Sequence, residues 1–318
     1  MIETLTDPFD AILELGGEPL REAMAGVETR LREITAVERH ALATVAAGGK
    51  RLRPLLVFVA GLGSDAHVAL SRAAAAVELI HSATLVHDDV LDDAPLRRGR
   101  TTVFAAAGRS AATATGDLLF SSAFAELARN GAIAQLRALS AASAALARGE
   151  LMQRADAWRA DVSLERYLQR CELKTARLFA AACELGALAG GGPPLGPFGH
   201  AVGLAFQLLD DVLDITGPTE RTGKRRGTDL LDGTVTLPLI LARERSRELW
   251  ALDLRSIAGP AHAERICEAI EATGAGEHAR LRALDLVARA KRELPRECPP
   301  LQRRALELMA DGLVDRYA

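Results

Sequence analysis

Aromatic residues are scarce: Phe, Tyr and Trp together make up 4% of the 318 residues. That scarcity argues against a β-sandwich or barrel, and the abundance of alanine favours closely packed helices. Cysteine is scarcer still. The four residues Cys171, Cys183, Cys267 and Cys298 lie far apart, with no CxxC pair and no accompanying histidine spacing. They exclude a zinc site of familiar spacing and read as small buried hydrophobes. Neither sign of charge dominates, since 39 Lys and Arg face 42 Asp and Glu for a formal net charge of −3. Nucleic-acid binding requires a clustered basic excess, so no nucleic-acid partner is expected. No uninterrupted apolar stretch approaches the roughly 18 residues of a spanning helix. The N-terminal MIETLTDPFD carries neither a basic n-region nor an apolar h-region, so a soluble, cytoplasmic protein is expected.

What is present is helical periodicity. Apolar residues recur at helical spacing from about Leu20 to Ala47, closed by Gly48-Gly49, and a second helix begins near Arg51 to Pro54. A long alanine-rich helix runs from Ala66 to about Asp92, ended by Ala94-Pro95. A short segment breaks at Gly108, and the helix after it ends near Gly131. Further helices are predicted from about Ala134 to Trp158, Leu164 to Leu188 and Phe198 to Ile215. After a polar loop, TLPLILARERSRELW resumes as helix, and Ala261 to Arg316 is helical with breaks at 274–276 and around Pro295 to Pro300. There is no tandem repeat and no low-complexity linker, so the chain reads as one all-α domain over 1–318.

Two aspartate-rich turns carry the chemistry: HDDVLDD, with Asp88, Asp89 and Asp92, and LLDDVLD, with Asp210, Asp211 and Asp214. Residues i and i+4 share a helix face, so Asp88 with Asp92 and Asp210 with Asp214 each aim two carboxylates the same way. Such carboxylates, at the ends of apolar helices, call for cations and suit Mg²⁺, which binds one or two carboxylates together with phosphate oxygens and water. One such cluster alone would read as a solvated helix end; two near-identical copies point to a metal site. Cations track the acids: Lys50, Arg51 and Arg53 in GGKRLRP, Arg97, Arg98 and Arg100 in PLRRGR, and Lys224, Arg225 and Arg226 after the second cluster. Arginine forks with lysine point charges suit a diphosphate.

These blocks, with GD (116–117), GELMQ (149–153), LKTARLF (173–179) and GKRRGTDLLDGTVTLPLI (223–240), make the chain resemble the trans-isoprenyl diphosphate synthases, the polyprenyl synthetase family. The closing LMADGLVDRYA is similar to that of the longer-chain members. The resemblance implies a single bundle of about 10–15 helices around a central cavity, the isoprenoid synthase fold, and a homodimer without a stable membrane anchor. It implies elongation of an allylic diphosphate by isopentenyl diphosphate, with Mg²⁺ as cofactor, three ions per site. Carried over by residue, Asp88, Asp92 and Asp210 would be the principal Mg²⁺ ligands, with Asp89, Asp211 and Asp214 in support. Arg97, Lys174 and Lys224 would hold the allylic diphosphate, and Lys50, Arg53, His81 and Arg98 isopentenyl diphosphate. Lys174, Thr175 and Gln207 would lie near the developing carbocation, and the departing diphosphate would be the base.

The chain departs from the family pattern at Thr234, usually lysine, and at Thr101 and Phe104, usually Pro and Asn. The first removes one expected allylic diphosphate contact. In this family an aromatic residue four or five positions before Asp88 shortens the product; here those positions are Thr84 and Ala83, both small. The tail can therefore pass, with Ile80, Val77, Leu119, Phe120 and Phe124 as candidate floors, and a product of C20 or longer is expected, in the C30 to C50 range. Geranylgeranyl diphosphate is the alternative product. A class I terpene cyclase is disfavoured, because its second metal motif differs and GGKRLRP has no role there. A partner-dependent subunit of a heteromeric synthase is the other reading, and Thr234 is what keeps it open.

Overall fold

The computed structural model describes residues 8–97, 99–217 and 226–315. In chain order the helices are α1 (Pro8–Thr35), α2 (Arg39–Ala46), α3 (Leu52–Ala60), α4 (His67–Leu91), α5 (Val103–Ala128), α6 (Ile133–Asp156), α7 (Leu164–Cys171), α8 (Arg177–Gly190) and α9 (Gly196–Thr216). They continue as α10 (Thr228–Leu231), α11 (Leu237–Arg243), α12 (Arg247–Trp250), α13 (Pro260–Ala272), α14 (Ala275–Arg292) and α15 (Pro300–Asp315). A π-turn, Glu172–Ala176, joins α7 to α8, and among the described residues the sole sheet is the hairpin β1 (Leu96–Arg97) and β2 (Arg100–Thr101). The all-α reading holds.

The local chemistry explains most boundaries, and it corrects some. The helix expected from Leu20 to Ala47 is two: α1 ends at Thr35, whose hydroxyl donates to the Leu31 carbonyl, and α2 restarts where the Glu38 carboxylate accepts the Ala41 N–H at 2.7 Å. A longer carboxylate, glutamate, thus takes the place of the usual Ser or Asp cap, a substitution that periodicity does not reveal. α1 also begins earlier than expected and kinks at Gly17 (φ 65°), two residues before Pro19. TLPLILARERSRELW breaks into α11 and α12, because the Ser246 hydroxyl caps a new first turn at Leu249. The breaks at Gly108 (φ 84°) and Gly274 (φ 73°) fall where glycine's left-handed backbone was expected to put them.

The chain groups into two compact units, each discontinuous in sequence. Their boundaries, at 143/144, 180/181 and 308/309, fall inside α6, α8 and α15, so no linker marks them.

In the first unit (1–143, 181–196, 295–308) α4 is the central helix and packs most extensively on α5, then on α3 and α1. Its residues Ala73 to Ile80 are all buried. α4 is long and apolar enough to cross a membrane by length and composition, although Arg72 and Glu78 interrupt its apolar run, and most of it is buried against its neighbours. Gly186 of α8 lies against α3, where a Cβ would collide with the Val57 carbonyl and sit 2.8 Å from the Ala60 Cβ. Only glycine permits that approach.

In the second unit (144–180, 197–294, 309–318) α11 packs against α14, α13 and α7. Gly149 of α6 meets the backbone at Lys174, where a Cβ would be 2.7 Å from the amide nitrogen. At Gly203 of α9 a Cβ would be 2.7 Å from Phe179 Cβ and 2.9 Å from Ala176 Cα. The four cysteines are buried thiols, as expected.

Candidate active site

Within the first unit the acid motif ends α4. Asp92 N–H donates to the Asp88 carbonyl at 2.9 Å, which sets the two side chains one turn apart, as the spacing predicts. Asp92 is exposed and Asp88 half-buried, whereas Asp89 is buried. Burial raises the Asp89 pKa above its ordinary value, opposed by Arg97, whose Nε donates to Asp89 at 2.7 Å. Arg97 is expected to hold substrate diphosphate; here it anchors the hairpin to the acid motif. Three further bonds fix that corner. The Thr102 hydroxyl donates to the Ala94 carbonyl at 2.6 Å and accepts the Ala105 N–H, capping α5, and Arg109 bonds Asp93 at 2.6 Å. Arg98 lies outside the described residues.

The GGKRLRP block divides its cations. Lys50 is exposed, its ammonium 5.2 Å from the Phe9 ring centre, and Arg53 is half-buried. Arg51, read from the sequence as one more phosphate-matching cation, is instead an internal strut. It is 7% exposed and donates to Glu28 at 2.5 Å, Glu78 at 2.7 Å and the Val45 carbonyl at 2.7 Å. Burial pulls its pKa down, but the bonds to Glu28 and Glu78 outweigh that and hold it above its ordinary value; the burial penalty falls on Glu78, whose pKa is raised. A signal existed in the sequence: Glu78 is one of two charged residues between Ala66 and Val86, on a helix otherwise apolar.

His81 is half-buried, and its carbonyl accepts the Thr84 hydroxyl at 2.8 Å. Among the product-length residues Ala83 and Ile80 are buried, Thr84 and Phe120 half-buried. The Phe120 ring stacks on His87, with centroids 5.8 Å apart. Gly116 makes room for that histidine, since any Cβ there would overlap its ring.

Within the second unit the second acid motif ends α9. Asp210 is exposed and Asp211 buried. Asp214, expected to pair with Asp210, accepts the backbone N–H groups of Thr228 (3.1 Å) and Asp229 (3.2 Å), so it serves the start of α10. Arg226, counted from sequence among the phosphate-matching cations, donates to the Ile215 carbonyl and pairs with Glu264 and Glu271, anchoring the chain after α9. Lys224 lies outside the described residues.

Asp211 accepts from the Tyr167 hydroxyl at 2.6 Å and from Gln207 Nε2 at 2.8 Å, and Gln207 Oε1 accepts from the Thr175 hydroxyl at 2.6 Å. Burial pushes the Asp211 carboxyl up to about 7, against the pull of Tyr167, Gln207 and Arg170. Thr175 and Lys174 lie on the π-turn, a widened turn often found at functional sites. Lys174 Nζ bonds Glu150 at 2.5 Å, and Glu150 also accepts from Arg154 Nε at 2.7 Å. Burial acts to raise the Glu150 pKa, but the two cations overcome it and lower it. Sequence reasoning missed Glu150 and Tyr167, although GELMQ and the helix before LKTARLF contain them. Thr234 is half-buried, and its N–H donates to the Asp229 carbonyl.

The donor set is hard oxygen throughout, as Mg²⁺ requires. Among the described residues no three His, Cys, Asp or Glu side chains form a metal cage by themselves. Carboxylates of this kind bind Mg²⁺ together with phosphate oxygens and water.

A family model described as polyprenyl synthetase matches residues 35–273. Component 2 of the heptaprenyl diphosphate synthase of Geobacillus stearothermophilus is 43% identical over 72% of this chain and 75% of its own. The octaprenyl diphosphate synthase of Escherichia coli (strain K12) is 35% identical over 85% of this chain and 88% of its own. A crystal structure of a polyprenyl synthase from Caulobacter crescentus CB15, complexed with calcium and isoprenyl diphosphate, superposes with a TM-score of 0.87 at 36% identity, covering 98% of both chains.

Proposed function

Because the chain belongs to the polyprenyl synthetase family and is a prenyltransferase of the isoprenoid synthase fold, we propose that it condenses isopentenyl diphosphate head-to-tail with an allylic diphosphate. The product is an all-trans polyprenyl diphosphate of C20 or longer, in the C30 to C50 range, and Mg²⁺ is the cofactor. The supporting observation is a division of labour common to both acid motifs. In each, the second aspartate is buried against protein donors, Asp89 on Arg97 and Asp211 on Tyr167 and Gln207, while solvent reaches Asp88, Asp92 and Asp210. We assign Asp88, Asp92 and Asp210 as the metal ligands and Asp89, Asp211 and Asp214 as their supports.

Bound Mg²⁺ would stabilise the diphosphate leaving group as the allylic C–O bond ionises. Lys174 and Lys224 add cationic stabilisation there, and Arg97 orients the motif through Asp89 as well as facing the allylic diphosphate. Lys50, Arg53, His81 and Arg98 hold isopentenyl diphosphate. Thr175 and Gln207 turn oxygen lone pairs to the cation, and the departing diphosphate takes the proton. Ala83 and Thr84 leave room for the growing tail beside Ile80 and Phe120. A homodimer in the cytoplasm is the assembly we favour.

The second reading is a subunit active only with a partner, favoured by the likeness to a component 2 protein and by Thr234 in place of lysine. One incubation separates the two: purified protein, Mg²⁺, isopentenyl diphosphate and farnesyl or geranylgeranyl diphosphate, with the dephosphorylated products sized by mass spectrometry. A ladder ending at a defined long prenol is expected. Farnesol as the sole end product refutes the length assignment, and no elongation with any primer refutes autonomous activity.

A further inference from the structure

The Tyr167 hydroxyl has no part in the reaction just described, yet it is fully buried and starts a chain of three hydrogen bonds that ends at the residues assigned to the cation. We propose that Tyr167 is a positioning residue: through Asp211 it fixes which end of the Gln207 amide meets Thr175, and so which pole of the Thr175 hydroxyl is offered to the substrate. The inference rests on the elongation reading above.

The direction of the chain follows from donor and acceptor rules. The Tyr167 hydroxyl donates to Asp211 Oδ2 and the Gln207 NH₂ to Oδ1, so the carboxyl meets a donor at each oxygen and the amide nitrogen is the end turned to it. The amide oxygen then faces Thr175, and the threonine proton is committed to it at 2.6 Å. Lone pairs remain on Thr175 Oγ1, the right sign beside a developing allylic cation. With the amide reversed, its NH₂ would donate to Thr175, and the hydroxyl proton would be released with the wrong sign. Tyr167 is itself locked: the Arg170 guanidinium sits 5.3 Å from its ring centre, and Arg170 donates to the Val235 carbonyl at 2.6 Å. Gly203 lets α9 close on Ala176, next to Thr175, which brings Gln207 within reach.

Tyr167→Phe keeps the ring and deletes the donor. The expected result is a fall in kcat of about tenfold, equivalent to about 1.4 kcal/mol, with KM for both diphosphates within about twofold of the parent and a modest fall in melting temperature from the bond lost at a buried carboxyl. Thr175→Val removes the far end of the chain without changing its volume. If the tyrosine acts through the chain, Tyr167→Phe causes little further loss in the Thr175→Val background. Full multiplication of the two losses, or a loss confined to KM and melting temperature, overturns the proposal and leaves Tyr167 a packing residue. Should the parent enzyme itself fail to elongate, the functional reading falls first. The positioning claim is then judged on protein labelled with ¹⁵N-glutamine, where Tyr167→Phe must shift the Gln207 side-chain amide resonances; unshifted resonances overturn it.

Discussion

Arg51→Met is the sharpest test of the first unit. The substitution keeps an unbranched, flexible side chain and removes a charge that serves three acceptors, Glu28, Glu78 and the Val45 carbonyl. Glu28 is about one-third exposed and can turn to water, but the Glu78 side chain is only 6% exposed. Leaving a buried carboxylate without its partner costs about 3–5 kcal/mol. At about 2–4 °C per kcal/mol for a body of this size, that is a fall of roughly 6–20 °C in the unfolding midpoint, measured by far-UV circular dichroism. The pH dependence checks the mechanism. Burial already raises the Glu78 pKa, and losing Arg51 raises it further. A raised acid contributes stability at low pH and loses it as pH rises through the folded-state value, so the deficit shrinks at roughly pH 5 relative to pH 8. The double variant Arg51→Met/Glu78→Gln recovers more than half of the loss, since no charge remains to be buried. A deficit that grows on acidification, or a double variant no better than the single, refutes the reasoning.

Three other outcomes are expected. Gly186→Ala forces a methyl into the Val57 carbonyl and should cost about 1–3 kcal/mol or more, read in a urea midpoint. Glu150→Gln should lower stability near neutrality by about 1–2 kcal/mol. Because the Glu150 pKa is lowered in the folded state, that advantage exists above its unfolded value and disappears as pH falls through the folded one, so parent and variant converge in acid. Ala83→Phe should shorten the longest product seen by mass spectrometry while leaving the first condensation intact, and an unchanged ladder would place the tail elsewhere.

The helices were legible because their signals are local. Glycines 108 and 274 and the prolines near 295–300 punctuate the chain where periodicity stops, and the aspartates at 88 and 92 announce their shared face. The division of roles within each motif was not legible. Arg51 and Arg53 are two residues apart in one basic block, and only tertiary placement makes one a buried strut and leaves the other half-exposed. Asp210 and Asp214 have the same spacing as Asp88 and Asp92, but Asp214 is drawn to the backbone of α10, fourteen residues on. The cap at Glu38 and the Tyr167 hydroxyl depend on partners that no period reveals.

Gln302, near the end of the chain, donates to the carbonyls of Val59 (3.2 Å) and Ala60 (2.7 Å) at the end of α3. The two partners leave the ribosome far apart in time. At about 5–20 residues per second, the roughly 240 residues between them take on the order of 12–50 s to make. For all of that interval the Val59 carbonyl has the Leu62 N–H, but the Ala60 carbonyl waits for the Gln302 amide. A nascent chain arrested anywhere before residue 302 should therefore expose the 52–60 segment to protease, and release of the final helix should close it.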